Sequence, residues 1–255
     1  MISAVVLVKN QAEQLKECLA SLRWCDEIVV IDDYSSDDSV KVAEIAGTRV
    51  FQHALNNDFS AQRNYALEKV QTEWVLFVDA DEVVSKSLAE EIYQQTSQFL
   101  SSINGYYLKR QDSLFGKKLK FGESAFVKLL RVAKKDKGKW EGRVHETWKV
   151  TGEVGMFKNT LIHHPHPTIR EFLSEINLYS TLRATELAER NVTVGWLEVI
   201  IYPSGKFFLN LIVRGGFLDG TVGIIMALMM SFHSFLVRGK LWQLRKQRKK
   251  YDFGY

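Results

Sequence analysis

Residues 74–82 read WVLFVDADE. Five apolar residues, enough for a buried strand, run directly into the acidic side chains of Asp79, Asp81 and Glu82. Residues 28–33, which read IVVIDD, repeat this arrangement earlier in the chain. Segments with helical spacing of apolar residues lie between the apolar runs, and this alternation predicts a doubly wound α/β fold with a parallel sheet. Ligands bind beyond the carboxyl ends of the strands in such sheets, so we expect the site there.

Outward from this stretch, the first hundred residues contain four predicted strands and four predicted helices. The strands are expected at 2–8, 28–31, 49–52 and 74–78, and the helices at 11–22, 36–46, 60–70 and 87–100. Asp37 and Asp38 are expected in the first turn of the second helix, where the helix dipole favours carboxylates. Ser87 and Glu90 have the spacing of a capping box for the fourth helix.

The pattern changes after Gly105. Strands are predicted at 106–111 and 126–132, followed by a long helix that Thr168 and Glu171 open as a capping box. Residues 207–237 are apolar and predicted to be helical. We therefore expect two domains, a catalytic domain at 1–200 and a C-terminal helical, basic, membrane-associated segment at 201–255.

Composition and charge narrow the class of protein. Hydrophobic residues make up 46% and charged residues 25%, which is ordinary for a globular protein and excludes a disordered chain. Two cysteines make no disulfide framework, and this favours a reducing compartment. The N-terminus has no signal-peptide pattern. The net charge of +4 comes from a tail without acids, whose seven cations are Arg238, Lys240, Arg245, Lys246, Arg248, Lys249 and Lys250.

The acidic clusters suggest a metal and nucleotide site. Asp32 and Asp33 follow one predicted buried strand, and Asp79 and Asp81 follow another. Hard cations such as Mg²⁺ and Mn²⁺ prefer carboxylate and phosphate oxygens. Asp79 and Asp81 are two residues apart, so in an extended backbone both would point the same way, one toward the nucleotide and one toward the metal.

Five further segments, in order along the chain, resemble family 2 glycosyltransferases, and in particular the subgroup of lipopolysaccharide-core β-1,4-glucosyltransferases. They are VVIDDYSSD (29–37), DFSAQRNYA (58–66), WEGRVHE (140–146), NLYS (177–180) and GFLDG (216–220), and WVLFVDADE belongs with them. The chain departs from the family pattern at Gln11, where the family often has Glu, and at Tyr34, where it often has a small residue.

The resemblance implies a GT-A-type fold and an inverting transfer of a hexose from a UDP-sugar to a glycan or glycolipid acceptor. It implies that Asp32 contacts the base of the nucleotide and that Arg63 lines the same pocket. Asp79 would hold the ribose, and Asp81 would bind the divalent cation, Mn²⁺ or Mg²⁺, that bridges the diphosphate.

An inverting transfer needs a base for the acceptor hydroxyl and no nucleophilic side chain. Glu146 is the candidate base, with His145 beside it as second choice or orienting group. His163 belongs to a histidine cluster at 163–166 and is a candidate contact for the metal or a phosphate.

The C-terminal segment predicts peripheral membrane association. Residues 221–237 carry no formal charge, and the cationic tail that follows favours an anionic leaflet, so we expect the cytoplasmic face of the inner membrane. Burial of this helix against protein is the alternative. No recognised nucleic-acid-binding module accompanies the tail.

Two other functions remain open at this stage. The acceptor could be a polyprenyl phosphate, or the chain could be an inactive membrane scaffold with the same fold. A nicotinamide-binding fold is disfavoured, because the turn after the first strand lacks the glycine fingerprint.

Overall fold

A computed structural model describes residues 1–98, 102–123, 125, 127–142, 146–165 and 168–252, with side chains described up to residue 247. The chain divides into two compact units. Unit 1 comprises Met1–Gln111 and Phe126–His164, and unit 2 comprises Asp112–Ala125 and Pro165–Tyr255. The boundaries between these units do not coincide with the boundary expected at residue 200. The division into a catalytic domain and a membrane-associated segment stays a prediction.

The elements follow one another along the chain in an order that begins with alternating strands and helices and ends with helices. They are β1 (Ile2–Val8), α1 (Ala12–Ser21), β2 (Glu27–Asp32), α2 (Ser39–Ile45), β3 (Arg49–Gln52), α3 (Phe59–Lys69), β4 (Trp74–Asp79), β5 (Glu82–Val84), α4 (Lys86–Thr96), β6 (Ile103–Leu114), β7 (Lys117–Lys118), β8 (Val127–Lys134), β9 (Gly138–Glu141), β10 (Thr147–Val150), β11 (Glu153–His163), α5 (Ile169–Glu189), α6 (Trp196–Phe208) and α7 (Gly220–Asp252).

The main sheet is mixed. Its strand order is β3-β2-β1-β4-β8-β6-β11-β5. The pairs β1–β2, β1–β4 and β2–β3 are parallel, which confirms the parallel sheet predicted for the first part of the chain. The sheet is not parallel beyond these strands, because β8 pairs antiparallel with β4 and with β6. Strands β9 and β10 form a separate antiparallel pair.

Side chains on both faces of β1 are buried, because helices or aromatic residues cover each face. Val6 and Val8 pack in one apolar cluster with Leu15 and Leu19 of α1 and with Leu88 and Ile92 of α4. The alternate residues, Val5 and Leu7, pack in a second cluster with Ala66 of α3 and with Trp140 and Trp148. This alternation follows from the two-residue period of a strand.

Two helices, α2 and α4, begin at other residues than predicted. The side chain of Asp37 accepts a hydrogen bond from the backbone N of Ser39 at 2.9 Å, so α2 begins at Ser39 and both aspartates lie before it. Ser85, rather than Ser87, caps α4 by accepting from the N of Leu88 at 3.2 Å.

The capping box of α5 is confirmed. Thr168 Oγ1 accepts from the N of Glu171, and Glu171 Oε2 accepts from the N of Thr168. The helix ends at Glu189.

The C-terminal helices of unit 2 are interrupted by a glycine turn. After α6 the chain continues through a π-helical stretch (Leu209–Val213), turns, and enters α7 through a 3-10 turn (Gly216–Asp219). Gly215 has φ +69°, and a Cβ on Gly216 would lie 2.6 Å from the carbonyl oxygen of Asn210, so the turn requires glycine. The segments Trp196–Val213 and Gly216–Gln247 are long and apolar enough to cross a membrane, judged by length and composition alone.

Candidate active site

Asp32 and Asp79, one from each acidic cluster, lie at the same edge of the sheet but on opposite faces. Strand β1 separates them, with Val8 paired to Asp32 of β2 and Leu7 paired to Asp79 of β4. The strands on either side of β1 are roughly 10 Å apart. Because neighbouring residues of a strand point to opposite faces, Asp32 and Asp79 do too. The sequence correctly predicts the shared edge and does not reveal the separation of the faces.

Asp32 and Asp33 have their oxygens directed to local partners. Asp32 is fully buried and accepts from the backbone N of Ser35 at 3.1 Å and from Gln52 Nε2 at 3.3 Å. Asp33 accepts from Lys9 Nζ at 2.6 Å and from the N of Leu55 at 2.9 Å. These bonds join the loops after β1, β2 and β3, where the resemblance predicts contact with the nucleotide base.

On the opposite face, two arginines hold Asp79. Arg63 Nη2 donates to Oδ1 at 2.9 Å, and Arg131 Nη2 donates to Oδ2 at 2.7 Å. Burial alone would raise the pKa of Asp79, but the charges and hydrogen bonds of Arg131 and Arg63 outweigh it and hold that pKa well below its ordinary value. The carboxylate predicted to hold the ribose is therefore engaged by two cations.

Helix α3 explains why Arg63 sits at this position. Asp58 caps the helix by accepting from the N of Ala61 at 2.9 Å. Gln62 then donates to the carbonyl oxygen of His53 at 2.8 Å, and Asn64 exchanges hydrogen bonds with both backbone groups of Trp140. The segment DFSAQRNYA thus ties α3 to the loop after β3 and to β9, with Arg63 between these anchors.

Glu146 is joined to the same arginine. Arg63 Nε donates to Glu146 Oε1 at 2.9 Å, and only 3% of the Arg63 side chain is exposed. The guanidinium also lies 4.8 Å from the ring centroid of Trp140, which stacks on Trp148. The candidate base is thereby positioned beside Asp79. The second candidate, His145, lies outside the described residues.

Asp81 and His163, both predicted to contact the metal, are brought together. His163 Nε2 lies 3.3 Å from Asp81 Oδ2, because β5 and β11 pair with His163 opposite Glu82. The prediction that Asp79 and Asp81 point the same way required an extended backbone, and this condition is not met. Ala80 and Asp81 form a turn after β4, so the backbone is not extended there and the two carboxylates have different partners.

The donor set near Asp81 is small. Among the described residues, no group of three or more His, Cys, Asp and Glu side chains is placed to hold a metal ion. Asp81 and His163 offer one carboxylate and one imidazole, and both side chains are partly exposed. This pair fits Mn²⁺ when phosphate oxygens of a substrate complete the coordination.

Sequence reasoning missed Arg131 and the role of Glu82. Burial and the charge of Asp79 raise the pKa of Glu82, whose Oε2 accepts from the N of Asp79 at 2.9 Å. Burial would lower the pKa of Arg131, but Asp79 and Glu82 raise it instead. A signal existed: Arg131 interrupts an apolar run, LLRVA, and a buried arginine requires an anionic partner.

Comparison with known proteins assigns the chain to a family. The sequence model of the family described as glycosyl transferase family 2 matches residues 3–149, more than half of the chain. The chain is 28% identical over 250 residues to the lipopolysaccharide core biosynthesis glycosyltransferase LpsC of Rhizobium meliloti, covering 95% of this chain and 92% of that protein. It is 24% identical to an uncharacterized glycosyltransferase of Rickettsia felis, covering 97% and 98% of the two chains.

A solved structure shows a similar fold. The mannosyltransferase PcManGT from Pyrobaculum calidifontis, in complex with GDP-Man and Mn²⁺, superposes with a TM-score of 0.54 at 11% identity. The match covers 95% of this chain and 87% of that one. The fold, a GT-A-like mixed α/β sheet with C-terminal helices, is therefore shared.

Proposed function

Because this chain belongs to glycosyl transferase family 2, we propose that it moves a hexose from a nucleotide sugar to a saccharide or lipid-linked acceptor, with inversion at the anomeric carbon. The observation that carries the proposal is the buried Arg63, which joins Asp79 at the carboxyl edge of the sheet to Glu146. The similarity to LpsC supports a glycan of the lipopolysaccharide-core type as the product. UDP is the proposed nucleotide of the donor.

Glu146 is the proposed base of the chemical step. It takes the proton of the acceptor hydroxyl while that oxygen bonds to the anomeric carbon, and the bond from this carbon to the diphosphate oxygen breaks. The electron pair leaves with the nucleoside diphosphate. Arg63 keeps Glu146 in place, since its Nε is hydrogen-bonded to one carboxylate oxygen and the other remains for the proton.

Asp81 and His163 are the residues proposed to hold a divalent cation, Mn²⁺ or Mg²⁺. When bound, the cation would stabilise the negative charge of the departing diphosphate. Asp32, on the other face, and its neighbour Asp33 bond to the loops that we propose receive the nucleotide base, and Asp79 is proposed to contact the ribose.

The proposal is tested with a panel of UDP- and GDP-hexoses. The protein is incubated with each sugar nucleotide, with and without Mn²⁺, and the nucleoside diphosphate released by slow hydrolysis is measured. We expect release from at least one UDP-hexose, and only with the cation. Absence of release and of binding for every nucleotide sugar would contradict the proposal.

We further propose that the protein works at the cytoplasmic face of the inner membrane as a peripheral protein. What supports this is the cationic tail together with the two long apolar segments of unit 2. The lipid-linked acceptor would then be reached without leaving the membrane surface.

A further inference from the structure

The side of α6 that is exposed to solvent carries mostly apolar residues. From Trp196 to Val213, ten of the eleven exposed residues recur in adjacent pairs every four positions, which places them on one side of the helix. The eleventh, Tyr202, contacts Arg238 of α7. The ten are Trp196, Leu197, Ile200, Ile201, Ser204, Gly205, Phe208, Leu209, Ile212 and Val213. Eight of the ten are large and apolar, whereas a helix in water normally exposes its polar side. We call these eight, together with the exposed Phe217 and Leu218 that follow, the α6 face.

The other side of α6 is occupied by α7. Ser231 Oγ donates to the carbonyl oxygen of the buried Pro203 at 2.8 Å, and the guanidinium of Arg238 lies 4.0 Å from the ring centroid of Tyr202. Another side of α7 packs on α5, where Met229 shares a cluster with Phe172 and Ile176. The α6 face is therefore additional to the apolar core that α7 forms with α5. Helix α7 also exposes apolar side chains of its own, among them Ile224 and Leu228.

A loop of exposed lysines is fixed beside the end of the α6 face. The buried Asp219 accepts from the backbone N of Lys120 at 3.0 Å and of Phe121 at 2.9 Å, and its carbonyl oxygen accepts from Lys117 Nζ at 2.5 Å. Leu119 anchors the loop in the core of unit 2. The loop exposes Lys117, Lys118 and Lys120 next to Phe217 and Leu218. The one acid of the loop, Glu123, is neutralised by Lys206 at 2.5 Å and Arg214 at 3.4 Å.

We propose that the α6 face lies flat on the surface of an anionic lipid bilayer, with Lys118 and Lys120 against the phosphate headgroups. An exposed apolar side flanked by cations is the arrangement of interfacial helices, and the cations select anionic lipid. A spanning orientation is disfavoured because Lys206 and Arg214, paired with Glu123, would enter the hydrocarbon. The inference rests on the membrane association proposed above. It assigns the principal contact with the membrane to α6 rather than to the cationic tail.

The test is co-sedimentation of the full chain with vesicles of pure phosphatidylcholine, or of equal parts phosphatidylcholine and phosphatidylglycerol. The double substitution Ile200→Ser and Ile212→Ser should weaken binding to the anionic vesicles about tenfold or more, since each removes exposed apolar area. The matched control, Ile224→Ser with Leu228→Ser, changes exposed residues of the same kind on α7 and should bind nearly as the wild type does.

A second pair of variants tests the lysine loop. Lys118→Glu with Lys120→Glu should lose the preference for phosphatidylglycerol, whereas the exposed Lys41→Glu with Lys86→Glu in unit 1 should keep it. Circular dichroism verifies the fold of each variant. Binding of UDP–Mn²⁺, measured on the same preparations, separates a failure of the glycosyltransferase proposal from a failure of this one.

Three results would overturn the inference. Wild-type protein could ignore both kinds of vesicle, or the α6 and α7 variants could lose binding equally. Light scattering could also show a dimer that Ile200→Ser with Ile212→Ser converts to a monomer, which would assign the α6 face to a second copy of the chain.

Discussion

The Nε of Arg63 lies 2.9 Å from Oε1 of Glu146. The same guanidinium holds Asp79, so a side chain from α3 connects the candidate base to the end of β4. Because this arginine is buried, water does not compete for its hydrogen bonds. A substitution at any of the three residues should therefore alter the positions of the other two side chains.

Replacing the candidate base should slow the chemical step. Glu146→Gln keeps the size of the side chain but removes its basic oxygen, so we expect turnover to fall by about 10²–10⁴-fold with donor binding nearly preserved. Steady-state kinetics with the acceptor measure this, and Glu141→Gln at an exposed position nearby is the control. A loss of less than about threefold would instead indicate an acceptor that already carries its charge, such as a polyprenyl phosphate.

Removing Arg131 should destabilise unit 1. Arg131→Gln leaves the Asp79 carboxylate with one cation in place of two, and breaking a buried ion pair costs about 3 kcal/mol in the free energy of unfolding. Urea denaturation gives the value. Lys128→Gln, at an exposed position of the same strand, should change it by less than about 0.5 kcal/mol. Equal stability of the two variants would show that Arg131 does not hold Asp79.

The stability contributed by Glu91 should depend on pH. Burial would raise its pKa, but hydrogen bonds from the backbone N of Lys158 and of Asn159 lower it below the ordinary value. A lowered pKa in the folded state means that the carboxylate stabilises the fold above the unfolded pKa of about 4.3, and that this contribution is lost as the pH falls through the folded pKa.

Glu91→Gln should therefore lower the free energy of unfolding by about 1 kcal/mol at neutral pH and by progressively less below pH of about 4. Thermal denaturation across this range provides the measurement, with the exposed neighbour Glu90→Gln as the control. A difference that stays constant with pH would contradict the assignment.

The cationic tail should add a salt-sensitive component to membrane binding. Reversing the charge of Lys246, Arg248 and Lys249 should weaken binding to anionic vesicles by up to about 1 kcal/mol per residue at low salt, and high salt should erase the difference. Nucleotide-sugar hydrolysis should be unaffected, because the donor site lies in unit 1. Salt-independent loss of binding would mean that the tail acts through packing rather than through charge.

The strands of the sheet could be predicted because runs such as WVLFV are both apolar and rich in β-branched or aromatic residues, and their acidic ends identify the edge that carries the site. The helix starts at Ser39 and Lys86 could not be predicted. Several serines and aspartates near each start are suitable N-cap residues, and the folded backbone determines which one occupies that position.

The long-range register was also beyond sequence reasoning. Arg131 meets Asp79 because β8 pairs with β4, and His163 meets Asp81 because β11 pairs with β5. The turn at Ala80 also interrupts the extended backbone between two carboxylates, which have different partners. For the same reason the apolar character of residues 207–213 was visible in the sequence, while the side that faces outward depends on where α7 packs.

The most direct test of the proposed metal-dependent donor site is calorimetric titration of the folded protein with UDP and Mn²⁺. We predict that wild-type protein binds UDP only when Mn²⁺ is present, and that Asp81→Ala abolishes this cation-dependent binding without unfolding unit 1, because Asp81 lies in a turn rather than in the core. The exposed Asp136→Ala is the matched control and should bind as the wild type does. Equal binding of UDP by wild type and Asp81→Ala, or undiminished binding by the wild type in excess chelator, would contradict the account.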